Sequence, residues 1–320
     1  MISNENIRRE PNYALRFLKR HTIGVVAIIL VVIVTASNPA FLSYSNITNI
    51  FSQYAPVGLM AIGMTYVIIA GGFDLSIAAI FSLSAVVAAV VALHMSPVLA
   101  FLAAVLAGSF VGYVNAVLIT RFEVNPFVTT VGTGFIVTGV TYVLTGNEAF
   151  VVENSAFEIL GSGRLLGFPY SGMVLVVILV AAGFALSRTI YGHVIYAVGG
   201  NPEASRLSGL QVNVIVGSTY VILGLLSGIA GYISASQLSS AQANMDPNVL
   251  FDVLTIVIVG GTPLGGGIGS IGKTILGLII IVTISNGFVL LDINPFYQNI
   301  IKGTLIVGAL VLDSVVRRKA

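Results

Sequence analysis

Ten apolar runs follow one another along the chain, at about 22–37, 54–70, 75–95, 97–119, 126–144, 171–187, 213–235, 249–265, 270–290 and 296–313. A helix that crosses a bilayer needs roughly 20 apolar residues. Within hydrocarbon only helices and closed barrels satisfy every backbone group internally. The chain is 57% hydrophobic and 8% charged, against about 25% charged in a soluble globule, and no soluble core has room for so much apolar surface. The runs therefore predict an all-α polytopic membrane protein with about ten transmembrane helices.

The basic residues orient it, because cytoplasmic loops collect Lys and Arg. With the N-terminus inside, the inner segments hold Arg8, Arg9, Arg16, Lys19, Arg20, Arg121, Arg188, Arg206, Lys273, Arg317, Arg318 and Lys319, and the outer side keeps Arg164 and Lys302. Twelve of the 14 Lys and Arg thus share one side, which puts the N- and C-termini in the cytoplasm. The expected organisation is a cytoplasmic tail over 1–21, a transmembrane domain over 22–314 and a basic cytoplasmic tail over 315–320. The tail is charged and lacks a small-residue cleavage site after the apolar run, so it does not read as a signal peptide. Zero Cys excludes disulfides, thiol catalysis and thiolate metal sites. The outer loop 145–171 carries Glu148, Glu153 and Glu158 against one Arg. It reads as a solvated loop or as part of a docking surface for an extracytoplasmic partner.

The cytoplasmic loop 188–212 contains a helix that a buried span does not need. Asn201 can cap a helix start, Pro202 fits the first helical position, Glu203 favours the positive end of the dipole, and Gly209 can take the left-handed stop conformation. About two turns, Pro202 to Ser208, result. So short a helix is not stable alone, and the reading is a surface that a partner pushes on.

Residues 67–76 (VIIAGGFDLS) and 256–265 (IVIVGGTPLG) form a weak parallel repeat at an offset of 189. Paired Gly-interrupted spans point to a transport pathway, and ordinary small-residue packing is the plainer reading. Asp74 can cap the next helix through the N–H of Ser76 or Ile77 or serve a pathway. Asp252 can cap the eighth span or meet a polar substrate. Asn115, Asn125, Thr129, Thr130 and Thr133 can bond between helices or line a polar route. Gly267 to Thr274 (GIGSIGKT) satisfies the phosphate-loop pattern, but it lies between membrane spans with no polar region for a nucleotide domain. It is read as a tight inner turn with Lys273 reaching the cytosolic surface. His21, His94 and His193 lie near different span ends, so no metal cluster is expected. No nucleophile elbow or zinc-protease motif occurs.

The segments GMTYVIIAGGFDLS (Gly63–Ser76), YAVGGNPEASRLSGLQV (Tyr196–Val212) and LSSAQANMDPNVLFDVLTIVIVGGTPLGGGIG (Leu238–Gly269), in this order, resemble the permease subunits of bacterial ATP-binding-cassette (ABC) importers for monosaccharides (ribose, xylose, arabinose, galactose), the ribose type most of all. The resemblance covers nearly the whole chain after the tail. It implies a type II importer fold in the inner membrane and a translocation subunit that is not an enzyme. A second permease chain, as a homodimer, a cytosolic ABC ATPase and a periplasmic or lipid-anchored sugar-binding protein would be its partners. No cofactor would sit in this chain, ATP and Mg being held by the ATPase, and no nucleic acid is involved. The ATPase-coupling residues would be Asn201, Pro202, Glu203, Ala204, Ser205, Arg206, Leu207 and Gly209. Gate or pathway candidates are Gly71, Gly72, Asp74, Ser76, Asn115, Asn125, Thr129, Asp252, Gly260 and Gly261. Lys273 in the Gly-rich turn, and Phe251 and Thr255 around Asp252, depart from the usual pattern. Permeation of another solute (a furanose signal or a branched-chain amino acid), and a stand-alone secondary transporter, are the alternatives.

Overall fold

The computed structural model describes residues 13–294 and 296–317. Residues 1–12 of the expected N-terminal tail and 318–320 of the expected basic tail lie outside the described residues. The helices in chain order are α1 (Tyr13–Ser37), a short 3-10 turn (Pro39–Leu42), α2 (Tyr44–Gln53), α3 (Ala55–Ile69), α4 (Ile77–Ala92), α5 (Pro97–Thr120), α6 (Pro126–Thr145), α7 (Ser155–Ser162), α8 (Tyr170–Arg188), α9 (Ile190–Gly200), α10 (Pro202–Leu207), α11 (Val212–Leu238), α12 (Val249–Val259), α13 (Ile271–Leu290) and α14 (Phe296–Arg317). Many starts are written locally. Ser96, Asn125, Asn201 and Ser270 each accept an N–H two or three residues on, which satisfies orphan donors of the first turn. Pro97, Pro126 and Pro202 then occupy first positions, where a missing N–H costs nothing.

Each of the ten apolar runs overlaps a helix. Among the described residues, α5, α6, α8, α11 and α13 are long and apolar enough to cross a membrane alone, and α2 with α3, bent by 52° at their break, has the length and composition of a broken span or a re-entrant loop. The bend follows from Pro56, which cannot donate to the Ser52 carbonyl four residues back. Gln237 Nε2 donates to that carbonyl instead, at 2.7 Å. α4 and α12 are shorter than the runs that contain them, and α12 stops at Val259 rather than reaching 265. Gly261 there takes φ +97°, and the backbone turns out of the helix.

α11 is the centre of the bundle, with α3, α4 and α5 against it. Small residues set the spacing, as is usual where helices meet in a membrane. A Cβ on Gly224 would stand 2.3 Å from the Gly108 carbonyl oxygen, and one on Gly63 2.9 Å from Leu223 Cα.

The chain alternates between two ends of the bundle. One end, marked by α7, is more ordered than a solvated loop. Strand β1 (Phe150–Val151) pairs antiparallel with β4 (Ser240–Ala241), and β2 (Arg164–Leu165) with β3 (Phe168–Pro169). Arg164 donates to Thr48 Oγ1 at 3.1 Å and Asn49 Oδ1 at 2.8 Å. Ser239 Oγ donates to Glu158 Oε1 at 2.8 Å, while Glu148 and Glu153 stay exposed. The other end is marked by α10 and by the turns that follow α3 and α12.

Candidate functional site

α10 is a six-residue helix with most of its side chains in the open. Asn201 Oδ1 accepts from Ala204 N at 2.9 Å. At the other terminus, Gly209 N donates to the Arg206 carbonyl and Leu210 N to the Ser205 carbonyl, both at 3.0 Å. With Gly209 at φ +84°, this is a Schellman stop. Ser205 is the buried member of the helix, while Asn201, Pro202, Glu203, Ala204, Arg206 and Gly209 are exposed and Leu207 is 86% exposed. Leu207 thus stands open between an exposed acid, Glu203, and an exposed base, Arg206.

α9 ties this helix to the bundle. The Tyr191 hydroxyl lies 2.6 Å from Ser218 Oγ of α11, and Tyr196 donates to the Gly269 carbonyl at 2.8 Å. Burial pushes both phenols above their ordinary pKa, so they stay neutral as hydrogen-bonding groups. At the end of α9 five glycine backbones converge. Gly267 N donates to the Ile69 carbonyl of α3 at 2.8 Å. A Cβ on Gly199 would stand 1.7 Å from that same oxygen, one on Gly266 2.9 Å from Gly71 Cα, and one on Gly267 2.7 Å from Gly200 Cα. The junction joins α9, the end of α3 and the turn between α12 and α13.

The two glycine breaks share one construction. After α3, Gly71 N donates to the Ile68 carbonyl and Gly72 N to Val67; after α12, Gly261 N donates to Ile258 and Thr262 N to Val257. Gly71 and Gly261 are the left-handed residues, at φ +84° and +97°. The structural repeat therefore pairs Gly71 with Gly261, an offset of 190. The sequence pattern had aligned Gly71 with Gly260, because Gly-Gly matches Gly-Gly although the helices end one residue out of step. Gly260 is the last right-handed residue of α12, and Gly72 packs under the Tyr220 hydroxyl.

Asp74, Ser76 and Asn115 come together and are sealed from solvent. Asp74 Oδ1 accepts from Ser76 N at 2.7 Å and Ser76 Oγ at 2.6 Å, and Asn115 Nδ2 donates to Asp74 Oδ2 at 3.2 Å and to Ser76 Oγ at 2.8 Å. Leu75 N donates to Thr130 Oγ1 at 3.1 Å. The cluster locks the turn between α3 and α4 onto α5 and α6. Asn125 is apart from it, accepting from Phe127 N and Val128 N as the cap of α6. Thr129 is buried, with its Oγ1 unpaired in the protein.

Asp252 lies far from this group, toward the α7 end, and it does not cap α12. Asn248 holds the cap position, and the Asp252 carboxylate pairs with Lys302 Nζ of α14 at 2.7 Å. Lys302, which entered the sequence reading only as one of two outer charges, is itself 9% exposed. Nothing local announces this pair, since 50 residues separate its members. Around it opens a cavity of about 400 Å³, lined also by Gln53, Tyr54, Asn248, Ser285 and Asn299. Lys273 does not reach for the surface either. Its Nζ donates to the Gly261 carbonyl at 3.0 Å, holding the stop of α12 to the start of α13, so the phosphate-loop lysine is spent on structure. Among the described residues no three His, Asp or Glu come together as metal ligands.

A family model described as "Branched-chain amino acid transport system / permease component" matches residues 46–310. The chain is 40% identical to the ribose import permease protein RbsC of Bacillus subtilis (strain 168) over 89% of each chain. It is 34% identical to the L-arabinose ABC transporter permease protein AraH of Azospirillum brasilense, over 91% of this chain and 86% of that one. It is 32% identical to the galactose/methyl galactoside import permease protein MglC of Escherichia coli (strain K12), over 94% and 95%. No solved structure gives a significant match.

Proposed function

The chain belongs to the permease family of ABC importers, and from that premise we propose that it passes a monosaccharide of the ribose type across the bacterial inner membrane as a multi-pass translocation subunit. Similarity over about nine-tenths of both chains to permeases named for ribose, arabinose and galactose carries this reading. The family description names branched-chain amino acids instead, so uptake of ribose against leucine decides between the two. The sugar is handed on by a periplasmic or lipid-anchored binding protein at the α7 end. ATP and Mg²⁺ are bound by a separate cytosolic ATPase at the α10 end, and a second copy of this chain completes the translocation unit. Arg121, Arg188, Arg206 and Lys273 at the α10 end support that sidedness.

Glu203, Arg206 and Leu207 are the proposed ATPase contact, supported by their exposure on a helix too short to stand by itself. Closure of the ATPase pair moves α10. Through α9 the glycine junction passes this displacement to α3 and α12. Reversing a charge across such a contact places like charges together. Uptake by Glu203→Arg is therefore expected to fall by at least about tenfold, the equivalent of about 1.4 kcal/mol, with unchanged amounts of chain in the membrane. Co-purification in mild detergent gives the direct check. An ATPase should elute with the unaltered chain and be lost from the Glu203→Arg, Arg206→Glu double variant. Normal uptake by Glu203→Arg removes the coupling assignment, and the absence of any ATPase from the unaltered complex removes the import reading.

A further inference from the structure

We propose that the cavity around Asp252 and Lys302 is a binding chamber for one polyhydroxylated molecule of monosaccharide size, held between the carboxylate of α12 and the ammonium of α14. The inference rests on the import reading above and gives it a place in the molecule.

A volume of about 400 Å³ lies within the range of small-molecule sites, about 300–1,000 Å³, and accommodates a single sugar ring. The lining matches the ligand. Each sugar hydroxyl both donates and accepts. Asp252 accepts only, Lys302 donates only, and Gln53, Asn248 and Asn299 do both. The cavity on the other side of Phe251, walled by Leu75, Ala78, Val131 and Phe135, has Thr138 as its one polar side chain and no charge, and it suits an acyl chain instead. A third space, between Asn248, Asp252, Asn299 and Lys302, is bounded by the same polar residues and extends the chamber.

Burying an ion pair in a membrane protein is a weak way to gain stability, and ionisable groups at that depth default to function. Here the pair bridges α12 to α14 at 2.7 Å. A sugar that enters replaces this single bond with hydroxyl bonds to both charges, so neither is left unpaired. The geometry also gives a direction. Gln53, Asn248 and Asn299 are exposed at the α7 end, whereas Val253, Ile256 and Val257 of α12 and Leu59 and Ile62 of α3 are fully buried beneath. The chamber opens toward the α7 end and is closed toward α10.

The absence of Cys from the chain makes the test clean. Asn299→Cys and, separately, Gln53→Cys each provide one thiol on the rim, in the complete complex in vesicles, with a membrane-impermeant maleimide as reporter. At a ribose concentration about ten times the half-protecting one, labelling is expected to slow about tenfold by mass action, and leucine should not protect. Adding Asp252→Asn or Lys302→Gln to Asn299→Cys should raise the half-protecting concentration at least about tenfold over that of Asn299→Cys alone. If those variants do not assemble, protection of both single thiols still decides. In parallel vesicles carrying the unaltered chain, ribose uptake without protection of either thiol overturns the chamber and leaves the import reading standing. Neither uptake nor protection with any monosaccharide overturns both.

Discussion

At Gly199 the helix leading into α10 passes so close to the end of α3 that even a methyl group has no place. A Cβ there would stand 1.7 Å from the Ile69 carbonyl oxygen and 2.8 Å from Gly267 N, whereas one on the adjacent Gly200 meets nothing within 4 Å. The neighbours at Gly199 are backbone and cannot rotate aside. Gly199→Ala is therefore expected to cost at least about 3 kcal/mol, the upper range for overpacking, and to lower the unfolding temperature of the purified chain in detergent. Gly200→Ala should hold or raise it, since Ala loses less entropy than Gly in a helix. Equal unfolding temperatures for the two variants would remove the close approach. Only Gly199 of these adjacent glycines lacks room for a Cβ, and the sequence has no mark to separate them, because the distinction depends on the end of α3, 130 residues away. Asn201 is the opposite case. Its partner is three residues along the chain, so the cap was legible. Asp74 was half legible: its bond to Ser76 N is local, but Asn115, 41 residues on, closes the cluster.

The element scale turns on how α3 and α12 stop. Both end with the same pair of backbone bonds around one left-handed glycine, and α12 is thereby kept short of its apolar run. At Gly71 the nearest atom to a built Cβ is 3.9 Å away, so substitution there is a question of conformation alone. An L-residue pays about 1–2 kcal/mol for that region of φ/ψ space, Asn least and β-branched residues most. Gly71→Asn is expected to keep most of its uptake and Gly71→Val to lose stability and uptake together; equal behaviour of the two would rule out the left-handed stop as the reason for glycine. At Gly261 the same Asn would also meet Ile23 Cδ1, 2.6 Å from the built Cβ, and should fare worse. The existence of these helices was legible from long apolar runs without the strand alternation of a barrel, the one other way to satisfy the backbone in hydrocarbon. Their ends were not. Hydropathy continues through Gly-Gly into Thr262 and Leu264, and nothing in composition tells a crossing helix from one that stops partway. The order in the 145–171 segment was equally hidden, because β1 finds its partner in β4, some 90 residues on.

For the molecule as a whole, α12 has the position of a connecting rod. Its first turn carries Asp252 and the chamber pair; Gly261 at its other end leads, through the turn to α13, to the junction with Gly71 and Gly199. Between these points Val253, Ile256 and Val257 are fully buried, and α12 packs against α3, α13 and α14. A displacement of α10 therefore has a continuous packed route to the chamber, through α9, the junction and α12. Packing alone does not establish coupling; what establishes it is a state change at one end read at the other. Coupling free energies are reciprocal, so the proposed coupling requires that a sugar in the chamber bias the ATPase to the same extent as the ATPase biases the chamber. With the thiol of Asn299→Cys as reporter, trapping the complex in its ATP-bound state is expected to change the labelling rate at least about fivefold, the lower end of typical allosteric coupling. The Glu203→Arg, Arg206→Glu double variant should show no such difference, even with ATP present. Equal rates with and without nucleotide, in a complex that still hydrolyses ATP, would mean that α12 does not link the two ends and that the coupling energy takes another path through the bundle.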